Sequence, residues 1–117
     1  MSILEETVSI FLKRNKIDFI LQKRFKFIGK KSLDFYLPKY NVAIECQGVQ
    51  HYKNIPFFKS KNQYNRDLVK FNECLTNGIK VFYYTDYLHK KIIPKVFKKN
   101  TFFNLREMLK MIQNGAQ

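Results

Sequence analysis

The pattern of hydrophobic and polar positions contains four strand-like runs. Side chains of a strand point alternately to the two faces of a sheet, so apolar residues at every second position predict a strand. The runs are IDFILQKRFKFI (17–28), SLDFYL (32–37), NVAIECQ (41–47) and IKVFYY (79–84). Turn residues separate the first three runs, and such short connections favour an antiparallel meander.

Three further segments have apolar residues at helical spacing. They are residues 3–15 with Leu4, Val8, Phe11 and Leu12, roughly 60–76 with Tyr64, Leu68, Phe71 and Leu75, and a segment beginning after Phe102 with Leu105, Met108, Leu109 and Ile112. Asn77 and Gly78 form a typical helix end. The order of elements predicts an α/β layer sandwich with a mixed four-stranded sheet flanked by helices and a helical C-terminal tail.

Length and composition indicate one folded domain. The chain has 117 residues, and its apolar content of 45% excludes general disorder. We expect a core over about 3–85 and a basic helical extension over about 86–117. No apolar run is long enough for a membrane span, and the N-terminus lacks the basic-then-hydrophobic plan of a signal peptide. We therefore expect a cytoplasmic protein with no membrane partner.

Cysteine usage agrees with an intracellular protein. Cys46 lies in a strand-like run and Cys74 in a helix-like run, so both are expected to be buried free thiols and not a disulfide. The sequence contains no cysteine pair or histidine-rich set that is typical of zinc sites.

The charge is strongly positive and unevenly distributed. Twenty-two Lys and Arg oppose nine Asp and Glu, giving +13, and residues 13–31 hold eight basic side chains beside the single acid Asp18. Such a field attracts a polyanion, most commonly nucleic acid. The alternative is a lysine-rich composition of the kind found in phage and AT-rich bacterial proteins. Candidate phosphate contacts are Lys30, Lys31, Lys53, Arg66, Lys90 and Lys91; their alternative is a solvated charged face.

Acidic side chains interrupt the second and third strand-like runs. Alternation places Leu33, Phe35 and Leu37 on one face of the second run and leaves Asp34 on the other; in the third run it sets Glu45 and Gln47 opposite Val42, Ile44 and Cys46. If these strands are neighbours, the polar side chains at positions 34, 45 and 47 converge on one spot.

Two adjacent carboxylates in a partly apolar setting repel each other, and each is costly to desolvate. A divalent cation relieves both penalties, and carboxylates with a main-chain carbonyl suit Mg²⁺ or Mn²⁺ better than zinc. The alternative is an ordinary solvated face. The scarcity of acids in this chain weighs against that alternative.

These residues resemble a known family. LDFYLPKYNVAIECQGVQHY (33–52), followed by RDLVKFNECLTNGIKVFYY (66–84), is similar to the PD-(D/E)XK nuclease superfamily. The resemblance is closest to the branch with very-short-patch-repair endonucleases and phage homing endonucleases of the EDxHD arrangement. It covers about two thirds of the chain, from about Glu5 to Tyr84, and its most specific part is the run from Asp34 to His51.

The resemblance implies a restriction-endonuclease-like αβββαβ core and hydrolysis of phosphodiester bonds in DNA with Mg²⁺ or Mn²⁺. It makes Asp34 a metal ligand, Glu45 a second ligand or a contact to a metal-bound water, and the backbone carbonyl of Cys46 a third ligand. His51 becomes a general base or a helper of the leaving group.

Two further acids match the family pattern. Glu5 corresponds to the acid of the first helix, and Asp67 to an acid of the long helix that orients the histidine or a water. Helical spacing agrees, because Glu5 and Asp67 flank the apolar stripes of their helices, whereas Glu6 and Arg66 point further outward.

The chain departs from the family pattern at Gln47, which stands where the superfamily has a lysine and cannot carry positive charge. Related branches accept glutamine there and rely on the histidine; Lys53 or Lys70 could supply charge from another position. The leading expectation is a Mg²⁺-dependent DNA endonuclease, which would need a homodimer, a larger assembly or two visits to cut both strands. The alternatives are an inactive nucleic-acid-binding module with a nuclease fold and an RNA-cleaving toxin.

Overall fold

A five-stranded mixed sheet forms the centre of the computed structural model, which describes residues 1–47, 57–85 and 95–115, with the backbone alone at 57–63 and 95. The strands are β1 (Ile20–Lys23), β2 (Leu33–Leu37), β3 (Val42–Cys46), β4 (Lys80–Tyr84) and β5 (Thr101–Phe102). They lie side by side in chain order. The first three are antiparallel, which confirms the meander, whereas β4 is parallel to both β3 and β5.

The expectation of four strands was wrong because β5 adds a fifth at the edge of the sheet. This strand has only two residues, so it is too short to show an alternating pattern. The first strand is also shorter than the predicted 17–28. After β1 the chain forms a 3₁₀ turn over Lys26–Ile28, in which the Ile28 N–H donates to the carbonyl of Phe25. The apparent alternation there reflects side chains that pack from a turn.

The helices are α1 (Ile3–Arg14), α2 (Phe57–Thr76), the single turn α3 (Lys95–Lys98) and α4 (Leu105–Gly115). All three predicted helices are confirmed. Gly78, with φ of +80°, lies two residues beyond α2, in a conformation that glycine adopts without strain. In the part of the chain that the structure describes, no helix is both long and apolar enough to cross a bilayer.

Two hydrophobic clusters lie on opposite faces of the sheet. The first cluster joins α1 and α4 to the sheet and contains Val8, Leu12, Ile17, Phe35, Leu37, Val42, Ile44, Phe82, Met108 and Ile112. The second cluster joins α2 and α3 to the other face and contains Ile28, Leu33, Ala43, Cys74, Ile79, Val81, Tyr83 and Phe97. The alternation within β3 and β4 therefore divides their side chains between two helical layers. The C-terminal residues 95–115 contribute to both clusters, with Met108 and Ile112 in the first and Phe97 in the second.

Two predicted side-chain positions were wrong. Leu75 is 52% exposed, and the neighbouring Cys74 is buried in its place. Cys74 and Leu75 follow Phe71 by three and four residues, and one helical turn has 3.6 residues, so either side chain could continue the apolar stripe of α2. Leu33 is buried as expected, but it packs in the second cluster, not beside Phe35 and Leu37 in the first. Both cysteines are free, with Cys74 buried and Cys46 half-buried.

The packing of α4 can be tested with two adjacent residues. Ile112 is 1% exposed in the first cluster, whereas Met111 is 49% exposed. We expect Ile112→Ala to lower the free energy of unfolding by about 2–5 kcal/mol, because it leaves a cavity. The matched control Met111→Ala should change it by about 0.5 kcal/mol or less. Urea denaturation measures both, and equal small losses would show that α4 is not part of the core.

Candidate active site

Asp34 and Glu45 meet where the direct pairing of β2 with β3 ends. The paired residues run from Leu37↔Val42 to Phe35↔Ile44, which confirms that the strands are neighbours. At the next position, carboxylate side chains replace backbone carbonyls as the hydrogen-bond acceptors. The Asp34 N–H donates to Glu45 Oε2 at 2.8 Å, and the Cys46 N–H donates to Asp34 Oδ2 at 2.9 Å. Each carboxylate is thus fixed by the backbone of the opposite strand.

The backbone of Cys46 faces this junction. Cys46 is opposite Tyr84 in the parallel pair β3–β4, and the Gln47 N–H, not that of Cys46, donates to the Tyr84 carbonyl at 2.9 Å. In such a ladder the N–H and C=O of Cys46 both point away from β4 and toward β2. The carbonyl oxygen that the resemblance nominates as a ligand therefore faces the same side as Asp34.

The thiol of Cys46 lies within the field of three acids. Burial raises its pKa, and the charges of Asp34, Glu5 and Glu45 raise it further. The side chain therefore stays a neutral thiol. The common influence of these acids also indicates that the carboxylates of α1, β2 and β3 gather at one end of the sheet.

Glu45 is a buried acid with a cationic partner. It is 5% exposed and forms an ion pair through Oε1 with the Lys70 ammonium of α2. Burial raises the pKa of the Glu45 carboxyl to about 8; Lys70 opposes this rise and Asp34 adds to it. For Lys70, burial lowers the pKa, but the attraction of Glu45, with that of Asp67 and Asp34, outweighs it and raises the pKa. Lys70 therefore remains protonated beside the two acids.

Gln47 and Asp67 form a second contact between β3 and α2. Gln47 is 5% exposed, and its Nε2 lies 3.5 Å from Asp67 Oδ2. Glu45 and Gln47 share one face of β3, and Asp67 and Lys70, three residues apart, share one face of α2. The strand and the helix therefore face each other with complementary pairs. Arg66 is exposed, as helical spacing predicted.

Glu5 approaches from the opposite helical layer. It is half-buried, and with Ser2 it forms a capping box at the start of α1, in which the Glu5 N–H donates to Ser2 Oγ at 3.1 Å. Its Oε2 lies 3.4 Å from Gln22 Nε2, and the same amide nitrogen lies 3.4 Å from Asp34 Oδ1. Glu5 thus reaches Asp34 through Gln22.

Sequence reasoning missed Gln22 and left Lys70 as one of two open alternatives. Gln22 is an exposed polar residue of an edge strand, so nothing in its local pattern marks it. Lys70 could have been found, because it lies three residues after Asp67 and hence on the same side of α2. Ser32 links Gln22 to Lys70: its hydroxyl donates to Gln22 Oε1 at 2.7 Å, and its carbonyl accepts from Lys70 Nζ at 3.0 Å.

Several residues predicted for catalysis or phosphate binding do not lie among these contacts. His51, Lys53, Lys90 and Lys91 lie outside the described residues. Lys30 is exposed and Lys31 half-buried, and both immediately precede Ser32 in the turn before β2. These two lysines therefore lie a short distance along the chain from the carboxylate site.

Within residues 1–47, 57–85 and 95–115, no three His, Cys, Asp or Glu side chains are grouped closely enough to hold a metal ion by themselves. Comparison with models of known protein families found no match, and comparison with curated protein sequences found none either.

Burial of Glu45 makes stability depend on pH, and Lys70 limits the effect. The pKa of Glu45 is raised from 4.5 to about 8, so its contribution to folding is full below pH 4.5 and is lost as the pH rises toward 8. In Lys70→Met the carboxyl has no cation to offset its charge. Because this charge develops only above the raised pKa, we expect the loss of unfolding free energy to grow by about 2 kcal/mol between pH 5 and pH 9.5.

Urea denaturation at both pH values, with a chelator present, measures this change. Lys110→Met is the matched control, because Lys110 is an exposed lysine of α4; its loss should not grow with pH. Equal losses for Lys70→Met at pH 5 and pH 9.5 would contradict the proposed link between the two side chains.

Proposed function

We propose that this chain is a Mg²⁺- or Mn²⁺-dependent DNA endonuclease with a restriction-endonuclease-like core. The observation that carries the proposal is the pair of hydrogen bonds where β2 and β3 separate, from the Asp34 N–H to Glu45 and from the Cys46 N–H to Asp34, with Lys70 against the buried acid. The resemblance of residues 33–52 and 66–84 to PD-(D/E)XK nucleases supports the same conclusion.

The donor set fits a hard divalent cation. Asp34 and Glu45 provide carboxylate oxygens, the Cys46 carbonyl faces the same side, and no nitrogen or thiolate ligand is required. Asp34 raises the pKa of Glu45, so the two acids repel each other when both are ionised. A cation held by these oxygens would relieve that repulsion, polarise the attacking water and offset charge on the phosphate.

Lys70 provides the positive charge that Gln47 cannot. Its ammonium lies against Glu45, in reach of the field of Asp34, although it comes from α2 and not from the strand position of the family lysine. We assign it the stabilisation of negative charge that develops on the phosphate. Gln47 has a different role: its amide contacts Asp67 and orients that carboxylate. Following the resemblance, His51 accepts the proton of the attacking water or assists the leaving group.

The substrate is a polyanion, in agreement with the net charge of +13. Lys30, Lys31 and Arg66 are the described candidates for phosphate contacts, and Lys53, Lys90 and Lys91 extend this set. Such contacts fix the position of a duplex without reading its sequence. One site cleaves one strand, so a double-strand break would require two chains or two visits.

Supercoiled plasmid tests the proposal directly. With Mg²⁺ or Mn²⁺, the wild-type chain should convert it to nicked or linear DNA. Asp34→Ala and Glu45→Ala should slow conversion at least about a hundredfold, because they remove cation ligands. Glu6→Ala is the matched control: Glu6 is an exposed acid beside Glu5, and its loss should leave the rate unchanged. Circular dichroism confirms that each variant is folded.

Further assays separate the endonuclease from the two alternative functions. Lys70→Met should lose cleavage and still bind DNA in a gel-shift assay. Binding of DNA without cleavage by the wild-type chain would contradict the endonuclease and favour a nucleic-acid-binding module. Degradation of labelled RNA with the plasmid spared would identify an RNA-cleaving toxin instead.

A further inference from the structure

Gln22 has a backbone conformation that is unusual for a strand. Its φ is +49°, although its neighbours Leu21 and Lys23 pair regularly with Phe35 and Leu33 of β2. A left-handed conformation brings the Cβ of a non-glycine residue close to the backbone and costs free energy. Such a conformation persists only where the surrounding contacts compensate for it.

The contacts of the Gln22 side chain point to that compensation. The amide nitrogen lies 3.4 Å from Glu5 Oε2 and 3.4 Å from Asp34 Oδ1, so one group faces two acids from different elements. The amide oxygen accepts a hydrogen bond from the Ser32 hydroxyl at 2.7 Å. Because Ser32 holds the oxygen, both N–H bonds of the amide are directed to the carboxylates.

The chemistry of an amide suits this position. It donates two hydrogen bonds without adding charge, so it can hold two carboxylates near each other and leave their negative charge available to a cation. A lysine would neutralise the acids, and a glutamate would add to their repulsion. Asp34 Oδ2 already accepts from the Cys46 N–H, which leaves Oδ1 as the oxygen whose position Gln22 sets.

We infer that Gln22 is a positioning residue of the proposed site: through its amide it fixes the Glu5 and Asp34 carboxylates in one arrangement, at the expense of a strained backbone in β1. The inference rests on the proposed function. Gln22 does not itself touch the reacting atoms, and it acts through the two acids.

Two substitutions separate the amide from the backbone. Gln22→Gly and Gln22→Ala both remove the amide, but glycine accepts a left-handed φ and alanine does not. Both variants lose the contacts of the amide, but only Gln22→Ala keeps the cost of a left-handed φ, so we expect Gln22→Gly to melt at the higher temperature of the two. Both variants should lose Mn²⁺ affinity and plasmid cleavage to the same extent, about tenfold or more, because both leave Asp34 without its donor.

Mn²⁺ affinity is measured from the free-ion signal in electron paramagnetic resonance, independently of cleavage. Lys16→Gly calibrates the relief of backbone strain, because Lys16 is exposed and has a φ of +56°. Lys16→Gly should melt above Lys16→Ala by a margin similar to that between Gln22→Gly and Gln22→Ala.

The inference is overturned if function follows stability, with Gln22→Gly as active as the wild-type chain and only Gln22→Ala impaired. It is also overturned if Gln22→Gly melts no higher than Gln22→Ala, since φ at this position would then not be strained. If the wild-type chain neither binds Mn²⁺ nor cleaves DNA, the proposed function fails first, and this inference fails with it.

Discussion

The two hydrogen bonds from backbone N–H groups to the carboxylates of Asp34 and Glu45, across β2 and β3, are the constraint on which the site depends. Each carboxylate accepts an N–H of the opposite strand, so the backbone pairing of β2 and β3 stops at Phe35 and Ile44. This arrangement buries Glu45, which raises the pKa of its carboxyl, and the Lys70 ammonium of α2 partly offsets the cost of ionising it. The contact adds a polar link between β3 and α2 to the second hydrophobic cluster, which packs α2 on the sheet.

Around these two acids the polar groups form a closed circuit. Glu45 contacts Lys70, Lys70 donates to the Ser32 carbonyl, the Ser32 hydroxyl donates to Gln22, and the Gln22 amide returns to Asp34. Glu5 joins the circuit from α1, so both helical layers meet at this end of the sheet. Glu45 is buried, Lys70 and Ser32 are half-buried, and Gln22 is exposed, so the circuit runs from the core to the surface. Its donors offset the repulsion between acids that lie close together.

The fold was largely predictable because the sheet and the helices bury whole faces. Alternation located β2, β3 and β4, and helical spacing located α1, α2 and α4. Short or irregular pieces gave no such signal, as with the two-residue strand β5 and the 3₁₀ turn that resembled a strand. The proximity of Asp34 and Glu45 was predictable because charge within an apolar strand is rare. The contacts of Gln22 with the acids were not predictable, since they depend on its left-handed φ, which no residue pattern reveals.

The most direct measurement is the anomalous scattering of a crystal of this chain soaked in Mn²⁺. The account requires a peak between the carboxylates of Asp34 and Glu45, within coordination distance of both and of the Cys46 carbonyl. A Mn²⁺-soaked crystal with no peak there, and with both acids still held only by backbone N–H groups and Lys70, would contradict it.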